Sequence, residues 1–340
     1  MKSKLYLLTF LLITSLTIAQ SPKSFSVKIF LDSLKNETSE ENHKYYRIVK
    51  EYNSNKERYE FSEYYKSGKI ALRGATKDKD KIILDGNAIS YYENGTKKVA
   101  SNYTASYLNG PQFKWYENGK MQFVKEFTFD PVKKESTEKV IQYWDENNNQ
   151  NIIDGNGFYD NQTELTRRDQ NEITFFGEKG EIKNGVREGI WTGRSLKLKI
   201  TFTESYENGK LISGVSTDEN NMNYNYSEVM QKPMAKNGIN SFYKYIGQNY
   251  NTPKVQGLQG QIYLTFVVDK EGKLVEPKVL RDLGYGTGTE AIRIINTAKN
   301  WLPGKMRGIP IRTMYSLPIT IRSISPPRSD ETPNQNNPKF

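Results

Sequence analysis

An aromatic pair closing on a glycine turn recurs along the middle of this chain. It reads Tyr64-Tyr65-Lys-Ser-Gly68-Lys, Tyr91-Tyr92-Glu-Asn94-Gly95 and Trp115-Tyr116-Glu-Asn118-Gly119-Lys. Worn forms follow at Tyr143-Trp144-Asp-Glu-Asn147 and Tyr206-Glu-Asn208-Gly209-Lys. Gly86 precedes Gly95, and Gly110 precedes Gly119, by the same nine residues. Aromatic side chains suit a pleated, half-buried surface. Asn-Gly supplies the positive φ angles of a two-residue type I′ turn. The pattern therefore predicts hairpins repeated about every 25 residues, stacked into a long antiparallel meander because one hairpin alone is too small to be stable.

At 340 residues the chain has room for two or three domains. Lys2 and Lys4 precede an apolar run from Leu5 to Ala19, with Thr17-Ile18-Ala19 as a small-residue cleavage site. This is the pattern of a secretory signal peptide over residues 1–20, and it is short of the roughly 20 apolar residues that a spanning helix needs. The expected location is the periplasm; an uncleaved inner-membrane anchor is the alternative. There is no cysteine, so disulfides and thiolate chemistry are excluded. Of the net charge of +10, most lies in residues 236–322, where 13 Lys and Arg face 5 Asp and Glu, a net +8. In an exported protein that excess favours acidic protein segments or anionic surfaces over nucleic acid.

The repeat units, with Gly185-Val-Arg-Glu188-Gly189-Ile-Trp191-Thr-Gly193, resemble the MORN-type repeat family, especially the variant of YwqK-like antitoxin proteins. The resemblance covers roughly residues 60–215 and implies an interaction surface or spacer. The expected division is a β segment at 21–60, repeats at 61–221, a linker at 222–235, an α+β domain at 236–322 and a disordered tail at 323–340.

In the α+β domain Asn237 is placed to cap a helix whose apolar face is Ile239, Phe242, Tyr243 and Ile246. Ile262, Leu264, Phe266 and Val268 alternate as a buried strand, Asp269–Lys273 turns, and Leu274–Arg281 returns. Thr287-x-x-Glu290 matches a capping box opening a second helix. Last comes an alternating strand from Ile309 to Ile321, with Pro310 and Pro318 on one parity. Proline has no N–H and sits mainly at sheet edges, so this reads as an open edge strand able to take another chain.

These residues resemble the TonB C-terminal domain. The matching pieces are Phe242-x-x-Tyr245-Ile246-x-x-Asn249, Gly260-x-Ile262-Tyr263-Leu-Thr-Phe266-Val-Val268-Asp269-x-x-Gly272, Trp301-x-Pro303-Gly304-Lys305, Gly308-x-Pro310-Ile311 and Leu317-Pro318-Ile319. The resemblance implies a helix–strand–strand–helix–strand fold and a partner-strand site at Ile309, Ile311, Arg312, Thr313, Met314, Tyr315 and Ser316. It also implies a supporting loop at Asn249, Tyr250, Asn251, Thr252 and Pro253, and an outer-membrane TonB-dependent receptor, or another envelope protein, as partner in transmembrane transport. Homodimerisation is a further option. The family's Tyr-Pro after the first helix is Thr252-Pro253 here.

The chemistry of catalysis is thin. His43 is the only histidine and lies in a polar run. Gly284-Tyr-Gly286-Thr-Gly288 lacks the Gly-Lys-Ser/Thr ending of a phosphate loop. Arg281, Arg293, Arg307 and Arg312 could clamp a carboxylate or phosphate, against a default of surface solvation. The expectation is a non-enzymatic binding protein with no cofactor, no metal and no small-molecule substrate. The alternative is a MORN-repeat interaction module, antitoxin-like, with the C-terminal domain for docking or dimerisation.

Overall fold

The computed structural model describes residues 25–162, 176–299 and 301–323. The signal peptide expected at 1–20 and all of the expected tail beyond Ser323 lie outside the described residues. The chain divides into two compact units after Gly155. It is mostly β, with two helices among the described residues.

The first unit is an antiparallel meander. Its strands are β1 (Val27–Leu31), β2 (Tyr45–Val49), β3 (Tyr59–Tyr65), β4 (Ile70–Thr76), β5 (Gly86–Tyr91), β6 (Lys97–Thr104), β7 (Tyr107–Leu108), β8 (Gly110–Trp115), β9 (Met121–Asp130), β10 (Glu135–Trp144) and β11 (Gln150–Ile153). Each strand pairs with its sequence neighbour, except that β8 pairs with β6 as well as β9, past the short β7. The second aromatic of each repeat has a specific job. Tyr65, Tyr92 and Tyr116 donate their hydroxyls to the carbonyls of Tyr91, Trp115 and Trp144, at 2.7, 2.9 and 2.9 Å. One repeat is thus hydrogen-bonded to the next by a side chain as well as by the ladder, which suits units that cannot stand alone.

The turns differ from the expected type. At Gly68, Gly95 and Gly119 only the glycine has positive φ, and the N–H of the aromatic reaches the carbonyl four residues on. Asn94 and Asn118 instead accept the backbone N–H two residues ahead, at 2.9 and 3.0 Å. That side-chain bond holds the Asn in an Asx turn, and the strand compensates with a register shift one residue before the turn. The two-residue loop with both residues left-handed does occur, at Asn184-Gly185 and Asn208-Gly209 in the second unit.

That unit begins with β12 (Asn156–Asp160), β13 (Gly177–Lys183), β14 (Val186–Ser195), β15 (Ile200–Glu207), β16 (Lys210–Asp218) and β17 (Asn223–Tyr226), again a meander. Glycines on these strands make room for aromatics from neighbouring strands. A Cβ on Gly180 would lie 2.4 Å from the Trp191 ring, and one on Gly214 would lie 2.3 Å from Tyr226.

Residues 222–235 are no linker. They carry β17, β18 (Met230–Gln231) and β19 (Met234–Ala235). After α1 (Ile239–Asn249) come β20 (Gln259–Val268), β21 (Leu274–Arg281), α2 (Thr287–Thr297), β22 (Trp301–Leu302), β23 (Gly304–Met306), β24 (Ile309–Ile311) and β25 (Thr313–Arg322). One three-stranded sheet is ordered β21-β20-β25 and another β18-β23-β24. The helices lie on the first. Both helices cover one face of it: Phe242 and Ile246 of α1, with Ala291, Ile294 and Ile295 of α2, join Ile262, Leu264, Phe266, Leu317 and Ile319 in one core. Trp301 stands in its centre, edge-on to Phe242, Phe266 and Tyr315.

Two caps differ from expectation. The N-cap of α1 is Gly238 rather than Asn237. Thr287 lies inside α2, whose N-cap is Gly286. Asp282 does the capping from outside, accepting the N–H of Gly288 at 2.9 Å and the Thr287 hydroxyl at 2.5 Å. The Thr287 bond, with the N–H groups of Gly284, Leu283 and Gly288, holds the Asp282 carboxyl below its ordinary value against partial burial.

Candidate functional site

The alternating run from Ile309 to Ile321 is two strands, not one. It breaks at Arg312: β24 pairs with β23, while β25 pairs with β20. Ile309 and Ile311 therefore leave the expected edge. Ile311 is buried with Phe176, Ile200, Phe202 and Met306, and Ile309 packs against that cluster. The two prolines fall in different sheets, so their shared parity carries no common edge. The physical reason is the pull of a second apolar surface, which strand alternation alone cannot distinguish from one core.

β25 is nevertheless an edge strand, and a straight one. Its ten pairs with β20 run without a register shift, whereas the β20–β21 ladder shifts twice. β21 also holds Pro277 and a left-handed Glu276, features that blunt an edge. Along a strand, alternate residues send N–H and C=O to opposite sides. Ser323 donates its N–H to the Leu258 carbonyl at 2.9 Å, so odd-numbered residues face β20 and even-numbered ones face outward. Pro318 then falls on the outward set and costs the ladder no bond. The outward backbone donors are those of Met314, Ser316, Thr320 and Arg322, and the same residues' side chains are exposed. Thr313 and Tyr315 bond inward, and Tyr315 stacks on Phe266 with ring centroids 5.5 Å apart. Arg312, between the strands, pairs with Glu276 at 2.6 Å, both side chains well exposed, a geometry of small energetic weight.

The structure ties the loop expected to support this edge to α2. Asn251 donates its N–H to Glu290 at 2.8 Å, Arg293 reaches the Asn249 carbonyl at 2.6 Å, and the Tyr250 hydroxyl donates to the Thr287 carbonyl at 2.7 Å. Arg293, ahead of the Asn251 N–H, draws the Glu290 carboxyl down to about 2. Burial pushes the Tyr250 phenol up to about 12. Thr252 is exposed and Pro253 half-buried; no bond among the described residues links Asn249–Pro253 to β25.

Arg307 is one of the four arginines that the sequence offers as anion clamps. It is instead 3 % exposed at the tip of the β23–β24 hairpin. Its Nε donates to Glu204 Oε1 at 2.8 Å, and its Nη2 donates to Glu178 Oε2 at 2.9 Å and Glu204 Oε2 at 3.2 Å. The guanidinium lies 4.0 and 3.8 Å from the ring centres of Phe176 and Phe202. Arg187 pairs with Glu178 as well and lies 3.7 Å from Glu204. The hydroxyls of Tyr226 and Tyr206 donate to Glu204 at 2.8 and 3.0 Å. Burial works to raise the Glu204 carboxyl, but the Arg307 bond and charge, the Tyr226 bond and Arg187 hold it below its ordinary value. Burial pushes Tyr206 up to about 12 and Tyr226 further up. A clue was in the sequence: Glu204 is a charged residue at an inward position of the repeat, and such a group demands a partner.

Arg293 and Arg312 likewise hold carboxylates of the protein itself. Arg281 lies over Tyr263. No group of three or more His, Cys, Asp or Glu that could hold a metal occurs among the described residues. Nor, among them, is any helix long and apolar enough to cross a membrane.

A family model described as a MORN repeat variant matches residues 84–105 and 108–128, the hairpins β5–β6 and β8–β9. No curated protein and no solved structure matches the chain. The chain carries MORN-type repeats at residues 84–128.

Proposed function

We propose that this is a non-enzymatic cell-envelope protein of the TonB type, which binds an extended segment of an outer-membrane receptor by strand addition to β25. The observation that carries the reading is the edge itself: ten residues, no register shift, a proline only where it costs no bond, and outward backbone donors at Met314, Ser316, Thr320 and Arg322 interrupted by Pro318 alone. Backbone hydrogen bonds would supply affinity and the exposed Met314 side chain a first specificity contact. Ten of the thirteen cations in residues 236–322 have no acidic partner among the described residues, the paired three being Arg293, Arg307 and Arg312. That surplus favours a receptor segment with acidic residues.

The test is titration of the full mature chain with extended receptor peptides, read by amide NMR. Binding should shift and protect the amides of Met314, Ser316 and Thr320. A folded chain that shows no shift at about 1 mM peptide, the weak end of specific affinity, would sink the reading. The alternative, an antitoxin-like interaction module acting through the repeats, is favoured by the family match at 84–128. It predicts partner capture that survives a block of the β25 edge.

A further inference from the structure

The hairpin Gly304–Ile311 joins two regions that the sequence presents as separate. Its base lies against the start of the edge strand: a Cβ on Gly304 would sit 2.2 Å from Thr313 Oγ1. Its tip lies against β17 and the bend that follows it, where a Cβ on Gly308 would meet Tyr224 at 3.0 Å and the Arg307 N–H donates to the Val229 carbonyl at 2.7 Å. Met306, Ile309 and Ile311 close over Phe176, Ile200 and Phe202. The chain between β17 and α1 offers little else to hold the domain, since β18 and β19 are two residues each and β18 itself pairs with the hairpin.

We propose that this hairpin is a latch, with Arg307 as its bolt, that couples the β25 edge to repeat strands β13–β17. The repeats fix where β25 begins, because Ile311 is seated on them and Thr313 opens β25 two residues later. A disturbance of the socket around Glu204 and Glu178 therefore reaches the edge, and load on the edge reaches the socket. The coupling needs no partner to be bound, so it stands or falls apart from the strand-addition reading.

Hydrogen-exchange mass spectrometry on the full chain tests it, comparing the native sequence with Arg307→Met. The latch predicts exchange about ten-fold faster or more in β13–β15, at residues 229–231 and at the start of β25, with α2 and central β20 unchanged, a local opening. Unchanged exchange in β13–β15 would overturn the proposal. So would an equal rise through α1, α2 and β20, because Arg307 would then be an ordinary core residue. Should Arg307→Met fail to fold, Glu178→Gln removes the charge from one of the Arg307 contacts and must give the same pattern at smaller amplitude; a flat or uniform response there overturns it equally.

Discussion

Two buried carboxylates occupy the same place in the repeat and are neutralised in opposite ways. Glu63 and Glu204 each stand five residues before a turn glycine, Gly68 and Gly209. Both are buried on their strands. Glu63, in the first unit, is served locally. Arg47 sits directly across from it on β2 and donates at 2.7 and 3.0 Å, and Lys35 adds a contact at 2.9 Å. Across from Glu204, in the second unit, stand Trp191 on β14 and Gly214 on β16. Neither can supply charge. Arg187 of β14 comes no closer than 3.7 Å, and the cation that hydrogen-bonds Glu204 is Arg307, 103 residues further on. A repeat with a cation across the ladder closes on itself, and one with an aromatic there needs another part of the chain. This is how a C-terminal hairpin becomes part of a repeat array.

The largest effect should come from breaking the remote pair. Arg307→Met removes the main partner of a buried carboxylate, a change that costs about 3–5 kcal/mol; urea unfolding of the second unit measures it. Arg47→Met should cost less, about 1.5–3 kcal/mol, the range for a hydrogen bond to a charged group, because Lys35 remains at 2.9 Å from Glu63 whereas Arg187 is 3.7 Å from Glu204. Equal losses at the two sites would erase the contrast. Next in size is Gly214→Ala, whose Cβ would lie 2.3 Å from the Tyr226 ring that donates to Glu204. Overpacking of this kind costs about 1–3 kcal/mol, readable as a lower unfolding midpoint.

The contrast also has a pH signature. Tyr206 is raised from 10.0 to about 12 and Tyr226 is raised as well. The folded state then holds their protons more tightly, so their stabilisation is present below pH 10 and is lost as pH rises toward about 12. Glu204 is lowered from 4.5. Its contribution is present above that value and lost as pH falls through the lower folded pKa. Alkaline melting curves of the native chain and of a Tyr206→Phe, Tyr226→Phe variant check this; the variant should lose part of the drop above pH 10.

The smallest effect on stability should come from the edge. Ser316→Pro removes an outward N–H and no ladder bond, so unfolding should shift by less than about 0.5 kcal/mol, the range of surface substitutions, while strand addition is lost. Leu317→Pro, one residue on, removes an inward donor and a buried side chain and should destabilise the domain outright. Peptide capture that survives Ser316→Pro would move the function to the repeats.

Much of this architecture was legible in the residues. The alternation of Ile262, Leu264, Phe266 and Val268 placed β20 on its correct face, and Leu274–Arg281 is β21 as read from the sequence. The aromatic-pair motif placed the hairpins, though not their turn type, because an Asn side chain can hold an Asx turn as readily as the backbone can go left-handed. Of the expected site, Thr313–Ser316 lies on a true edge strand. The loss of Ile309 and Ile311 had no local signal. Their alternation is the same whether they face one core or two, and only the position of Phe176 and Phe202, over a hundred residues earlier, decides between them.

The joining of hairpin and repeats requires that Arg307 and Glu204 act as a pair. A double-mutant cycle with Arg307→Met and Glu204→Met, read by equilibrium unfolding of the full chain, tests it most directly. The pair predicts a coupling energy within the range of about 0.5–3 kcal/mol seen for residues in one network, toward its upper end, with the double variant recovering much of the single losses. Losses that simply add, with coupling near zero, would contradict it.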